Sequence, residues 1–140
     1  MGGRVKKIAA AAAAGAAVLT PVAAQRPAAP RPQALSVTQG GLWEVSGIRG
    51  LRAPRRVCVA DTAQLAQFEH LRTSCTRVVI RDLRTVTEIH YTCPGSGFGR
   101  SQVTVITPRS LRIETQGISA NAPFNYLLHA RRIGNCPRSY

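Results

Sequence analysis

Residues 76–93 read TRVVIRDLRTVTEIHYTC, and this stretch decides the fold that the sequence predicts. Its two β-branched runs, 76–83 and 86–93, have the composition and alternation of strands, and a short polar turn joins them. A three-residue loop at 83–85 predicts an antiparallel hairpin with a defined register, because opposed residues must share a face of the sheet. The predicted opposed pairs are Val79 and Ile89, Val78 and His90, and Cys75 and Cys93.

The alternation continues over 101–107 and 111–118, on the two sides of Pro108–Ser110. With those three residues as the loop, the predicted pairs are Val105 with Ile113 and Val103 with Thr115. The other face carries Gln102, Thr104, Arg112, Glu114 and Gln116. One apolar face and one mostly polar face are typical of an antiparallel sheet with a single solvated side.

Two more strands are predicted, over 42–46 and 124–133, and the alternation of the first places Trp43 in the core. Between the first strand and the hairpin, DTAQ at 61–64 has the spacing of a capping box and predicts one helix over 62–71. We therefore expect a mainly β (α+β) domain. It would be an antiparallel meander of five or six strands, curved or barrel-like, with one short helix after the first strand.

The N-terminal residues 1–24 have the three parts of a secretory signal peptide: a basic start, an apolar run and small residues before a cleavage site. Cleavage between Ala24 and Gln25 would release a periplasmic or secreted protein. Residues 25–34 are rich in proline and predict an extended tail, so the folded domain is expected over 35–140. No apolar run reaches the roughly 18 residues of a membrane-spanning helix, which excludes a transmembrane segment.

Cleavage would remove Arg4, Lys6 and Lys7, lowering the formal net charge from +13 to +10 and leaving arginine as the only basic residue type besides histidine. In an oxidising compartment the four cysteines are expected to form disulfides. The hairpin register favours Cys75–Cys93, and this choice leaves Cys58–Cys136 as the second pair. A zinc site is disfavoured because the sequence has no C-x-x-C motif, and neither a metal nor a cofactor is predicted.

The arginines suggest a binding surface. They form two clusters, one at Arg49, Arg52, Arg55 and Arg56 and one at Arg131, Arg132 and Arg138. A Cys58–Cys136 bond would draw both clusters to one end of the domain. That Arg-rich end could hold anionic lipid headgroups, lipid A phosphates or an acidic protein surface; the alternative is dispersed solubilising charge. Nucleic acid is disfavoured because aromatic residues for base stacking are missing.

Catalytic motifs are weak in this sequence. Glu88 and His90 share a strand face and, with a nearby arginine, would suit a small secreted nuclease; the alternative is a solvated face with an ordinary ion pair. His70, His90 and His129 lack the spacing of a metal site. GSGFG at 95–99 lacks the context of a phosphate-binding loop and predicts a hairpin turn, with Phe98 as a contact patch or a lid. We expect a non-enzymatic protein.

Five motifs occur in a fixed order: GLWE at 41–44, CVAD at 58–61, Cys75, TCPGSGFG at 92–99 and IGNCP at 133–137. In these motifs the chain resembles a family of small secreted proteobacterial proteins of unknown function. The resemblance implies a periplasmic location and supplies no catalytic residues.

A looser resemblance is to small periplasmic barrels that inhibit lysozymes or secreted proteases. It rests on Tyr91–Cys93 and Gly41–Trp43. This resemblance implies a third possible role, inhibition of a hydrolase through the Pro-rich tail or a loop. The positive charge disfavours lysozymes as targets, because lysozymes are usually basic and like charges repel.

Overall fold

The computed structural model describes residues 2–3 and 30–139, and within them seven strands form one antiparallel sheet. The strands are β1 (Gly41–Ser46), β2 (Arg55–Val59), β3 (Thr76–Asp82), β4 (Val86–Cys93), β5 (Gly97–Thr107), β6 (Ser110–Ser119) and β7 (Ala122–Gly134). Their order in the sheet is β2-β1-β7-β6-β5-β4-β3, so β2 and β3 are its two edges and the sheet stays open. The predicted mainly β, antiparallel fold class is confirmed. The predicted signal peptide, apart from residues 2–3, and the tail up to residue 29 lie outside the described residues.

The topology is a meander from β3 to β7, and the last strand then pairs with the first. Strand β2 is not predicted from the sequence, because the four arginines around Pro54 are typical of a loop. In the structure β2 pairs with β1 and turns Val57 and Val59 into the core. The helical segment therefore follows the second strand rather than the first.

The register of the hairpin β3–β4 is confirmed up to Val79, which pairs with Ile89. The register predicted for β5–β6 is wrong by two residues. Val105 pairs with Leu111, and Val103 pairs with Ile113. One residue of the difference comes from the turn, where Thr107 pairs with Ser110 and leaves a two-residue loop, and the other comes from an irregularity at Ile106. Because the shift is even, every side chain keeps its predicted face.

The helix predicted over 62–71 is a 3₁₀ segment, Thr62–His70, with a kink at Gln67. Its predicted capping box is present: the Asp61 carboxylate accepts from the amide of Ala63, and the side-chain oxygen of Gln64 accepts from the amide of Asp61. At the kink, the side-chain amide of Gln67 is buried and donates to the backbone carbonyls of His70 and Thr73. These hydrogen bonds stabilise the non-helical backbone at Gln67. A shorter 3₁₀ turn spans Gln33–Leu35.

Packing of the domain begins a few residues before the expected boundary at Leu35. Arg31 donates to the carbonyl of Thr38 at 2.7 Å, and the amides of Gln33 and Ala34 donate to the carboxylate of Asp82. Ala34 is fully buried. The end of the Pro-rich segment is therefore part of the folded domain.

Alternation along the strands gives the sheet a covered face, on which the 3₁₀ segments pack, and an open face. The covered face includes Trp43, Val45, Ile89, Val103, Ile113 and Leu128, all at most 1% exposed. Ser101 on this face donates to the carbonyl of Ala66, which fixes the 3₁₀ segment to the sheet, and its oxygen lies 2.8 Å from the hydroxyl of Thr115. The core position predicted for Trp43 is confirmed.

A pair of opposed glycines on the covered face makes room for aromatic rings. Gly99 pairs with Gly117, between Tyr91 on β4 and Phe124 on β7. A Cβ atom at Gly99 would lie 2.4 Å from the Tyr91 hydroxyl oxygen. The His70 ring packs over this row, with centroid distances of 5.6 Å to Tyr91 and 6.1 Å to Phe124. These glycines thus serve packing and not a phosphate-binding loop.

Two disulfides close the domain, Cys75–Cys93 and Cys58–Cys136, the pairs that the hairpin register favoured. The first joins the N-terminal approach to β3 to the end of β4, and the second joins β2 to the segment after β7. Disulfides of this kind indicate an extracytoplasmic protein. Among the described residues, no helix has the length and hydrophobicity needed to cross a membrane.

Candidate binding site on the open face

The two residues of the predicted nuclease pair, Glu88 and His90, project from β4 onto the open face. They do so because Thr87, Ile89 and Tyr91, which alternate with them, are buried in the core. Arg100 lies directly opposite His90 on β5. The sheet register therefore brings a carboxylate, an imidazole and a guanidinium together, and we call this group the Glu88 cluster.

In the Glu88 cluster, His90 and Arg100 both bind the carboxylate of Glu88. Oε1 of Glu88 lies 3.1 Å from Nε2 of His90 and 2.8 Å from Nε of Arg100, and Oε2 lies 3.1 Å from Nη2 of Arg100. Glu88 is only 8% exposed, whereas the Arg100 and His90 side chains are about half exposed. The cluster presents nitrogen donors to solvent and keeps its carboxylate behind them.

The charge state of Glu88 follows from these contacts. The hydrogen bond from Arg100 lowers the pKa of the Glu88 carboxyl below its usual value of 4.5, against the opposing effect of burial, and the hydrogen bond from His90 lowers it further. Glu88 is consequently ionised near neutral pH, with both oxygens already engaged. This makes it an anchor for Arg100 and a poor general base.

Two hollows meet at the Glu88 cluster. The polar hollow, of about 420 Å³, is lined mainly by Arg100, Gln102, Arg112, Glu114, Gln116, Asn125 and Leu127. The apolar hollow, of about 500 Å³, is lined by Phe98, Ile118, Phe124, Gly99 and Gly117, with a rim of His90, Arg100, Gln116 and Asn125. Arg100, Gln116 and Asn125 border both. Both volumes fall within the roughly 300–1,000 Å³ of small-molecule sites.

Arg100 has unused binding capacity at this junction. A guanidinium has more N–H donors than one carboxylate can use, so donors of Arg100 remain after both contacts to Glu88 are made. The neighbouring Arg112, in contrast, is paired with Glu114 at 2.6 Å, next to it on the same face. Arg100 is therefore the arginine best placed to bind an acceptor-rich group shared between the two hollows.

The arginines of the predicted Arg-rich end divide between the two faces of the sheet and the segments beside it. Arg56 and Arg131 approach Glu44 from the two neighbouring strands, at 3.6 Å and 3.4 Å. The other members lie elsewhere. Arg55 and Arg132 pair with core positions on the other face, Arg49 and Arg52 lie in the loop after β1, and Arg138 follows the second disulfide. Arg56 and Arg131 therefore share the open face beside Glu44, while Arg55 and Arg132 share the other face.

The three histidines are also separate. His70 is 4% exposed and lies 3.1 Å from the carbonyl oxygen of Ser96 through Nε2, whereas His90 and His129 lie on strands β4 and β7 of the open face. Among residues 2–3 and 30–139, no group of three potential ligands is placed to hold a metal ion.

The residues behind the resemblance to hydrolase inhibitors are structural here. Trp43 is fully buried, and Tyr91 is 2% exposed. Burial raises the pKa of the Tyr91 phenol to about 12. Neither side chain is available at the surface for contact with a target enzyme.

Comparisons of the chain with family models, curated proteins and solved structures found no match. The resemblance to the secreted family therefore stays a prediction, and functional inference depends on the site itself.

Arg100, Gln116 and Asn125 are site residues that are not predicted from the sequence. The predicted strand begins only at residue 101, because the glycines before it are typical of a turn. The pairing of Cys93 with Gly97 starts β5 four residues earlier and brings Arg100 opposite His90. The alternation of Phe98, Arg100 and Gln102 was the available signal.

Proposed function

We propose that the protein is a non-enzymatic periplasmic binding protein that holds an anionic group of the cell envelope on its open face. The group is a phosphate or carboxylate, such as those of anionic lipid headgroups or of lipid A. The observation that carries this proposal is the guanidinium of Arg100, anchored by Glu88 at the junction of two hollows with donors to spare.

Preorganisation supports this role for Arg100. Two contacts to a nearly buried carboxylate restrict the guanidinium before any ligand arrives, so less side-chain entropy is lost on binding. The carboxylate faces away from solvent, and the exposed part of the Glu88 cluster consists of donors. An anion approaching from the open face therefore meets N–H groups first.

The basic character of the whole chain supports the same ligand class. The chain beyond residue 24 has a formal net charge of +10, which attracts anions over distances up to about a Debye length. Arg56 and Arg131, beside Glu44 on the open face, contribute to this attraction. Their part in the proposal is to raise the rate of encounter with an anionic surface, while Arg100 supplies the specific contact.

The location in the proposal follows from the N-terminus and the disulfides. Cleavage between Ala24 and Gln25 would release the folded domain into the periplasm, where Cys58–Cys136 and Cys75–Cys93 are oxidised. Mass spectrometry of the exported protein checks this step. It should give a chain that begins at Gln25 and contains no free thiol.

Vesicle co-sedimentation tests the proposed function. The exported protein should sediment with phosphatidylglycerol vesicles at low salt, remain in solution with phosphatidylcholine vesicles, and dissociate as ionic strength rises. Arg100→Gln should weaken binding by about tenfold or more, since a hydrogen bond to a charged group contributes ~1.5–3 kcal/mol. Arg84→Gln, in the β3–β4 turn, is the matched control and should bind like the wild type. Equal losses in the two variants, or no binding at low salt, would contradict the proposal.

A secreted nuclease is the second candidate, and the assembly of the Glu88 cluster is the observation that favours it. In this hypothesis His90 would be the general base, oriented by Glu88, and Arg100 would hold the phosphate. A second group for proton transfer is distant, however. His129 lies three strands from His90 and four residues beyond Asn125, the β7 residue aligned with His90, which places it about 20 Å away at ~4.8 Å per strand and ~3.3 Å per residue.

An RNA cleavage assay separates the two candidates. The binding proposal predicts no cleavage by the wild-type protein. Cleavage that disappears in His90→Ala and persists in His129→Ala would establish the nuclease instead.

A further inference from the structure

We propose that the ligand of the open face is a single-chain anionic amphiphile, with its phosphate or carboxylate head on Arg100 and its acyl chain in the apolar hollow. This inference rests on the proposed function and adds the second half of the ligand. It follows from the apolar hollow, which borders Arg100 on the side away from the polar hollow.

The apolar hollow is built from side chains that a solvated strand face does not need. Phe98, the second residue of the internal strand β5, pairs directly with Ile118 on β6 and is 55% exposed. Two opposed apolar side chains on adjacent strands form a continuous apolar strip. Covering that strip with a hydrocarbon chain removes its apolar surface from water, which is favourable in proportion to the area covered.

The charges beside the strip determine the sign of the head group. Its rim holds Arg100 and His90, and the carboxylate of Glu88 lies behind both. The next carboxylate on the open face, Glu114, is paired with Arg112. A head group that sits at the rim with its chain over Phe98 therefore contacts nitrogen donors, which suits an anion better than a cation or a neutral sugar.

The arrangement of the two hollows favours one small molecule over an extended membrane surface. The hollows share Arg100, Gln116 and Asn125, so a head group at this boundary can use the polar hollow while its chain uses the apolar one. The amides of Gln116 and Asn125 offer further donors to phosphate or carboxylate oxygens. A single amphiphile taken out of the bilayer can place its head group in the polar hollow and its acyl chain in the apolar hollow.

Isothermal titration calorimetry of the exported protein tests the inference with three probes: dodecyl phosphate, inorganic phosphate and dodecyl maltoside, each below its micelle-forming concentration. Dodecyl phosphate should bind at least tenfold more tightly than inorganic phosphate, and dodecyl maltoside should bind weakly. Inorganic phosphate binding as tightly as dodecyl phosphate would overturn the inference and leave the proposed function intact. Equal binding of dodecyl maltoside and dodecyl phosphate would overturn both.

Two pairs of variants test where the two parts of the ligand bind: the acyl chain at Phe98 and the head group at Arg100. Phe98→Ser should weaken dodecyl phosphate at least fivefold and leave inorganic phosphate unchanged. Its control is Ile106→Ser, at a side chain of similar exposure, 60%, near the far end of β5. Arg100→Gln should weaken both phosphates, with Arg84→Gln as its control. If Phe98→Ser and Ile106→Ser bind dodecyl phosphate equally, the acyl chain is not in the apolar hollow and the inference fails.

Discussion

The same strands form both faces of the sheet, and alternate residues along each strand are either buried in the core or exposed on the open face. On β4, Ile89 and Tyr91 are buried under the 3₁₀ segment, while Glu88 lies on the open face and binds both His90 and Arg100. Polar groups on the covered face, such as Ser101, are hydrogen-bonded inside the core. We infer that the covered face determines the stability of the domain and that the open face is available for binding.

Trp43→Ala should have the largest effect on stability. The side chain is fully buried, and truncating a large aromatic residue in a core costs about 3–5 kcal/mol. Gln116→Ala, on the exposed side of β6, should change the free energy of unfolding by less than about 0.5 kcal/mol. Urea unfolding followed by circular dichroism measures both. Similar values for the two variants would remove the distinction between the faces.

The disulfides should stabilise the domain to different extents, because they close loops of different length. The cysteines of Cys58–Cys136 are 78 residues apart and those of Cys75–Cys93 are 18 apart, which the chain-entropy model converts to about 4.5 and about 3 kcal/mol. Replacing each pair with alanine should lower the free energy of unfolding in that order. The reverse order in urea unfolding would show that native packing around Cys93, and not loop length, dominates.

Gly99→Ala should cost about 1–3 kcal/mol, because the new Cβ atom would collide with the ring of Tyr91. Gly134→Ala is the matched control, since a Cβ atom there has no described heavy atom within 4 Å. Thermal unfolding of the two variants makes the comparison. If Gly99→Ala is as stable as Gly134→Ala, the glycine row is not needed for aromatic packing on the covered face.

The smallest expected effect is the pH dependence that Glu88, on the open face, adds to the free energy of unfolding. A carboxyl whose pKa is lowered on folding stabilises the protein above its unfolded pKa, and this contribution disappears as the pH falls through the folded value. The difference in stability between wild type and Glu88→Gln should therefore be larger at pH 7 than at pH 3. A difference that stays constant between these pH values in urea unfolding would contradict the ion pair with Arg100.

Residue alternation predicted much of this fold correctly, because each strand has one side in the core. It determined the faces of β1, β4, β5, β6 and β7, and the register of β3–β4 placed Cys75 beside Cys93. The register of β5–β6 could not be obtained in the same way. The shorter turn and the irregularity at Ile106 each shift the pairing by one residue, and alternation is blind to the even shift that results.

The candidate site was less predictable because it depends on glycines with a non-local role. Gly97 and Gly99 resemble turn residues in the sequence, yet they lie within β5 and accommodate His70 and Tyr91 from other elements. Only the three-dimensional packing shows that the strand begins there. Without it, Arg100 could not be placed opposite His90.

Chemical-shift mapping by ¹H–¹⁵N NMR, with dodecyl phosphate added to the exported protein, tests the central claim most directly. The account predicts that the largest shifts fall on the amides of 98–100 and 116–118, around Arg100 and the apolar hollow. Shifts centred on 49–56 and 131–132 would place the ligand at the Arg-rich end and contradict the assignment of the open face as the binding site.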